Sequence, residues 1–271
     1  MPYPKLHFYA FGEDVKAFSS TREGGCSEGL YSSFNINHYC GDSEETIQKN
    51  RASLCQFLGI PEDRLLMPHQ VHQTKIVAVD EVFLRLPSAE RKARLEGVDA
   101  LMTNLPGVCI GVSTADCIPV LLYDGVHRAA CAIHAGWRGT VKRIVEKAVD
   151  TMTAVYGSRP SDIIAQIGPG IHLESFEVGD EVYEAFAQEG FEMTSISRKY
   201  PVSDAAVDGS VMEKWHIDLP ECNRQQLLAS GVPQNHISVS EICTFQQSDT
   251  YFSARRLGIN SGRIFTGILM V

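Results

Sequence analysis

Hydrophobic and polar positions along this chain change period from block to block, and the changes mark its elements. Residues 42–59, DSEETIQKNRASLCQFLG, place Ile47, Leu54, Phe57 and Leu58 at helical spacing. Asp42 or Ser43 is placed to cap that helix and Gly59 to end it. Short apolar runs follow at 75–82, 99–104, 108–114, 118–124 and 128–135, each bounded by turn residues, and they read as strands. Residues 140–157 put Val141, Ile144, Val145, Ala148, Val149 and Met152 on one helical face, stopped by Gly157. Residues 162–170 read as a strand entering a glycine turn, 178–190 and 219–231 as helices, and 237–241 and 263–271 as strands. Residues 18–33, with Gly24, Gly25 and Gly29, read as a loop, and the polar stretch 193–212 as a surface excursion. Strands come partly as hairpins and partly with helices between them. That pattern predicts an α/β protein with a mixed sheet and helices packed outside it.

Composition narrows the function more than the fold. The 271 residues carry a formal net charge of −9. A nucleic-acid partner calls for a basic footprint, so none is expected; a small anion held by local arginines remains compatible. No apolar stretch approaches the roughly 20 residues that span a bilayer. The first residues, MPYPKLHFYAFGEDV, lack an apolar leader, so the expectation is a cytoplasmic protein without a membrane partner. The eight cysteines are then expected to be free and mostly buried thiols. No C-x-x-C pair occurs, which removes zinc ribbons and thioredoxin-type chemistry.

Three residues carry the candidate chemistry: His72 in HQVHQ, Cys117 in STADCIPV and His134 in AIHAGWRGT. One thiolate and two imidazoles suit zinc with a fourth position left for chemistry. Their long separations are not diagnostic by themselves. His69 competes with His72, but on an extended segment residues three apart point to opposite faces, so one of them is expected at a metal. Cys117 reads equally as a metal ligand or as a nucleophile beside a histidine. Asp116 before it needs a partner. Arg138, in a glycine-rich turn before a helix, suits the rim of an anion pocket. IGPGI (167–171) lacks both glycine-loop signatures and reads weakly as a phosphate loop. Asn35, Arg51, Arg255 and Arg256 read first as caps or surface pairs.

TREGGCSEGLYSSFN (21–35), KNR (49–51), QVH (70–72), DALMTN, STADCIPVLLYD, AIHAGWRGT, IGPGI, FEVGDEV (176–182) and CTFQQSDTYFSARRLGINSGR (243–263) follow one another in that order. Together they resemble the YfiH-type laccase-domain family over nearly the whole chain. The resemblance implies one domain over 1–271, an α/β/β/α sandwich compared with cysteine hydrolases. It implies a zinc site at His72, Cys117 and His134, which would also be the catalytic residues, and tilts Cys117 toward the metal. It raises Asn35 and Arg51 to substrate-binding candidates beside Arg138. The implied activity is zinc-dependent purine nucleoside phosphorolysis of adenosine, inosine and methylthioadenosine, with adenosine deamination. Its substrates would be a purine nucleoside and phosphate. Copper-dependent polyphenol oxidation and cysteine hydrolysis of peptidoglycan precursors are the alternatives. Two departures, Gln73 where glycine is usual and Phe245-Gln246-Gln247 near the C-terminus, bear on substrate preference rather than on the metal. The H-x-E and P-C-x-x-C signature of zinc deaminases is absent, so deamination would need a differently built site. No H-x-H pair occurs, against several clustered coppers.

Overall fold

The structure, a computed structural model, describes residues 3–201 and 213–271. The apolar runs are strands, sorted into two large sheets and one small one. Leu6–Tyr9 (β1), Val15–Ser20 (β2), Leu65–Leu66 (β3), Ile76–Val79 (β4), Ala100–Thr103 (β5), Cys109–Thr114 (β6), Ile118–Asp124 (β7) and Ala129–Ala135 (β8) come first. Ile163–Ile167 (β9), Glu177–Val178 (β10), Ser197–Pro201 (β11), Glu213–Ile217 (β12), Ile237–Val239 (β13) and Ile264–Met270 (β14) follow. The five-stranded sheet runs β1-β2-β14-β6-β3 and the six-stranded sheet β13-β9-β7-β8-β5-β4. Both are mixed: β3 pairs parallel to β6, β4 to β5 and β13 to β9, and the other pairings in the two sheets are antiparallel.

Alternation along the strands explains the stacking of layers. In the six-stranded sheet Leu101, Leu121, Tyr123 and Ala132 face one way, and they pack with Ile110, Val112, Ile268 and Met270 of the five-stranded sheet. Their neighbours Met102, Val120, Leu122 and Ile133 face the other way, against helices Ile144–Tyr156 and Leu219–Ala229. The outer face of the five-stranded sheet, with Phe18, Phe265 and Leu269, is covered by Leu54 and Leu58 of the helix Glu44–Leu58. The order is therefore helix, sheet, sheet, helix. Strands buried on both faces read as continuous apolar runs, and each such side chain contributes about 1.5–3 kcal/mol on burial.

The sequence reading departs from the structure in four places. The helix expected over 140–157 is two, Trp137–Val141 and Ile144–Tyr156, with Arg143 between them at φ 61°. Helical spacing continues across the break, which hides it. The fully buried Gln226 bridges the break, donating to the Thr140 carbonyl (2.9 Å) and accepting the Val145 N–H (3.2 Å). The strand over 75–82 stops at Val79, because Asp80 caps a short helix, Glu81–Arg85, by accepting the Phe83 N–H at 2.7 Å. The loop read over 18–33 hides the end of β2: Ser19 and Ser20 look polar but are buried, bonded to Thr266 and to the Phe265 N–H. Of the stretch 193–212, residues 193–201 form a helical turn, Met193–Ile196, and β11; the rest lies outside the described residues. Among the described residues no helix is long and apolar enough to cross a membrane.

Candidate metal centre

Register brings the three candidate residues together. β7 and β8 are antiparallel with Ile118 opposite Ala135, so Cys117 at the start of one lies beside His134 at the end of the other. β5 is antiparallel to β8 with Ala100 opposite Ile133, which sets Asp99 next to His134. The His134 N–H donates to the Asp99 carbonyl (2.8 Å), and His134 Nδ1 lies 2.8 Å from Asp99 Oδ1. Both residues are buried.

Asp99 also shapes the loop that carries His72. Its carboxylate accepts the backbone N–H of Gln73 (2.7 Å), His72 (3.0 Å) and, more weakly, Val71 (3.4 Å). Wrapping three successive amides around one carboxylate forces His72 to φ 61°, a conformation costing about 1–2 kcal/mol for a residue with a Cβ. The charge-assisted hydrogen bonds offset that cost. Gln70 fixes the loop's other end, donating to the Ser113 carbonyl and accepting its N–H, both at 2.8 Å.

The result is a convergent donor set. His72 Nε2 stands 3.7 Å from Cys117 Sγ, and one ligand atom from each of His72, Cys117 and His134 lies within 4.8 Å of the others. Ligands of a tetrahedral zinc sit about 3.3–3.6 Å apart, so the donors fit a zinc-sized ion with modest contraction. Because an ionised carboxylate only accepts, His134 Nδ1 carries the proton toward Asp99 and Nε2 is left as a lone-pair donor. Gly136 makes room: a Cβ there would lie 2.8 Å from His72 Cδ2 and 3.0 Å from Cys117 Sγ. Asp116, at φ 83°, has the partners an acid in that place needs, Thr244 Oγ1 at 2.8 Å and the Arg255 N–H at 2.7 Å.

Electrostatics pair the thiol with the imidazole. Burial raises the Cys117 thiol, but the charge and hydrogen bonds of His134 and His72 outweigh it and hold the thiol below its ordinary value. Burial lowers His134, but the Cys117 thiolate and the Asp99 carboxylate outweigh it and raise the imidazole. Burial likewise raises Asp99, and its bonds to His134 and the loop amides more than reverse this. The two shifts run in the direction of a thiolate beside an imidazolium. A metal would take the thiolate and displace the proton from Nε2.

The donors open into a small pocket of about 170 Å³ whose walls include Asn37, Tyr39, Gln70, Ser113, Thr114 and Arg263. His69 lines it too, but its Nδ1 bonds Glu96 and its ring stacks on Tyr39 with centroids 4.0 Å apart. The three expected substrate residues lie outside this lining. Asn35 is fully buried behind it, bonding Cys40 Sγ (3.3 Å) and accepting the Arg263 N–H (3.2 Å). Arg51 lines a larger adjoining cavity of about 630 Å³ and donates to the Leu65 carbonyl. Arg138 is exposed, its guanidinium 4.3 Å from the centre of the Trp137 ring. The IGPGI amides of Gly168 and Gly170 bond the Pro119 and Ile242 carbonyls; a Cβ at Gly170 would come within 2.3 Å of Ile118, so this glycine serves close backbone packing. Asp99, Gln70, Thr114 and Arg263 escaped the sequence reading. Asp99 stands where a turn residue is ordinary, and nothing local ties it to His134.

Fold and site together define a mixed α/β protein with one thiolate–imidazole centre able to hold a metal. The chain belongs to the family described as multi-copper polyphenol oxidoreductase laccase, whose model matches residues 16–271. It is 45% identical over 268 residues to a purine nucleoside phosphorylase of Bacteroides thetaiotaomicron, covering 99% of this chain and 95% of that one. It is 43% identical to adenosine deaminase RL5 from an unknown prokaryotic organism, with 97% of each chain covered. Among solved structures, the hypothetical protein YfiH of Bacillus licheniformis superposes with a TM-score of 0.88 at 28% identity, covering 99% of this chain and 97% of that one.

Proposed function

We propose that this chain is a zinc-dependent purine nucleoside phosphorylase acting on adenosine, inosine and methylthioadenosine, with adenosine deaminase activity. The observation that carries the reading is the Asp99–His134–Cys117–His72 arrangement: two imidazole nitrogens and a thiolate converge, and the tautomer of His134 is fixed from behind. His72, Cys117 and His134 would hold the ion; when bound it supplies Lewis acidity and lowers the pKa of water at the open position. The chain's own contribution is placement. Asp99 orients two ligands at once, and the polar wall of Asn37, Gln70 and Ser113 offers hydrogen bonds to a sugar. Relatives bearing phosphorylase and deaminase names support this substrate class. Asn35 acts through Arg263 and Cys40, which it positions, and Arg51 from the cavity that shares Tyr39 with the pocket. Arg138 would have to reach substrate from outside the lining. A single domain spanning 1–271 accords with the layered cores, and its place would be the cytoplasm.

The deciding experiment measures metal content together with products from inosine and phosphate, before and after chelation. Loss of ribose 1-phosphate on chelation and its return with zinc support the reading; turnover untouched by chelation sinks it. One observation favours a second reading. A thiol held low beside a raised imidazole suits the resting state of a cysteine hydrolase, and such an enzyme would survive chelation. For the copper phenol oxidase, the family description is the support. Against it, the described residues hold one metal-capable group of His, Cys, Asp and Glu.

A further inference from the structure

Three residues, 115–117, carry the chain from β6 in the five-stranded sheet to β7 in the six-stranded one. So short a crossing turns sharply, and the corner falls on Asp116 at φ 83°, directly before Cys117. Aspartate visits the left-handed region more readily than most residues with a Cβ, yet it stays there only when its surroundings hold it. Three distant segments hold this one. The Asp116 carbonyl accepts the Ile171 N–H at 2.8 Å. Its carboxylate accepts the Thr244 hydroxyl at 2.8 Å through Oδ1 and the Arg255 N–H at 2.7 Å through Oδ2. Gly170 packs on the same corner: a Cβ there would lie 3.0 Å from the Asp116 carbonyl oxygen and 3.3 Å from that of Cys117.

The side-chain bonds are shielded from water, since Asp116 and Thr244 are both buried. Arg255 belongs to the helical turn Ala254–Leu257, whose first amides have no acceptor within the turn. Ser253 takes the Arg256 N–H and Asp116 takes the Arg255 N–H. Ala254 lines the metal pocket, so the corner is tied to a wall of the pocket it serves. Asp99 supplies none of this. Its carboxylate bonds His134 and the amides of residues 71–73, and none of these bonds reaches Cys117. One carboxylate thus aims the two imidazoles, and the sulfur needs an anchor of its own. Cysteine has a single side-chain torsion, so a shift of the corner carries Sγ with it, whereas a reactive centre tolerates about half an ångström.

We propose that Asp116 is a positioning residue for the metal centre: its carboxylate fixes the corner that sets the Cys117 thiolate opposite the two imidazoles. It lies outside the donor group of His72, Cys117 and His134 and acts through Cys117. The inference rests on the metal reading of that group and is independent of which reaction the centre performs. Two aspartates then divide the centre, Asp99 holding its histidines and Asp116 its cysteine.

The test compares Asp116→Gly, Asp116→Asn and Thr244→Val with the wild type. Glycine is at ease at φ 83°, so Asp116→Gly loses the two side-chain bonds without adding backbone strain. Its zinc affinity, read by competition with a chelating dye, should fall about tenfold to a hundredfold. In the cobalt-substituted protein its thiolate-to-metal charge-transfer band should weaken, because the sulfur no longer faces the ion. Asparagine can still accept the Arg255 N–H through its oxygen and donate to the Thr244 hydroxyl, which accepts as well as it donates. Asp116→Asn should therefore stay near the wild type in both readings. Thr244→Val removes one bond and should fall between; it carries the test if Asp116→Gly fails to fold. A merely structural Asp116 would lower the melting temperature of these variants while the folded protein kept the wild-type zinc affinity and cobalt band. That result would overturn the inference and leave the metal reading standing. A wild type that takes up neither zinc nor cobalt would overturn both.

Discussion

Two cavities meet at Tyr39, and they are built in opposite ways. The larger, about 630 Å³, is walled by Arg51, Glu62, Asp63, Arg91 and Lys92 together with the leucines of β3. Its charges sit on long side chains of both signs, several reaching from helix and loop positions into solvent. The smaller, about 170 Å³, is walled by strand ends and by one loop folded around a buried carboxylate. Its reactive groups are short, their rotamers are restricted by backbone amides and by Gly136, and they converge. Chemistry needs groups held to within about half an ångström. Only the small pocket offers that, so volume is a poor guide to the reactive centre here.

The contrast can be broken or sharpened by four substitutions. Cys117→Ala should have the largest effect, lowering nucleoside turnover by at least about a thousandfold in steady-state assays, whereas the fold should lose only about 1 kcal/mol in denaturant titration. A folded variant with normal turnover would remove Cys117 from the chemistry. Asp99→Asn should follow. Its amide would present N–H where the pocket needs an acceptor, so zinc affinity should fall about 10–100-fold. It should also cost about 2–3 kcal/mol in stability, and a competition titration with a chelating dye reads the first of these. Gly136→Ala should be milder. The added methyl presses on His72 and Cys117, costing about 1–3 kcal/mol and weakening zinc binding in the same titration. Lys92→Met, in the large cavity, should change kcat/KM less than about twofold, as an exposed charge contributes little. A loss there comparable to that of Gly136→Ala would mean the larger cavity takes part in the reaction after all.

Much of this was legible in the chain because strands buried on both faces announce themselves. β5, β6, β7 and β8 each fall within one or two residues of an apolar run. What those runs do not disclose is partnership. β6 sits between β5 and β7 in sequence yet belongs to the other sheet, because side chains on the two faces of a doubly buried strand are equally apolar. The same limit applies at the centre. His72, Cys117 and His134 are recognisable by residue type and by their motifs. Asp99 is not, since its importance lies in bonds to residues 27 and 35 positions away. Arg263 was passed over for Arg51 and Arg138 because nothing in a sequence distinguishes an arginine stacked on tryptophan from one lining a pocket.

Asp99 has a consequence for anyone wishing to move this centre to another scaffold. Copying two histidines and a cysteine at matching positions would transfer the donors without the device that aims them. The portable unit is larger: an aspartate at the head of a strand, a neighbouring strand ending in histidine, and a four-residue loop closed on that aspartate through its main chain. The loop is held through its amides, so Val71 and Gln73 could be varied widely, while His72 must stay as the donor and Gln70 as the clasp on Ser113. A designer could therefore move 70–73 as one cassette, keeping Gln70 and His72, with Asp99 as its fixed socket.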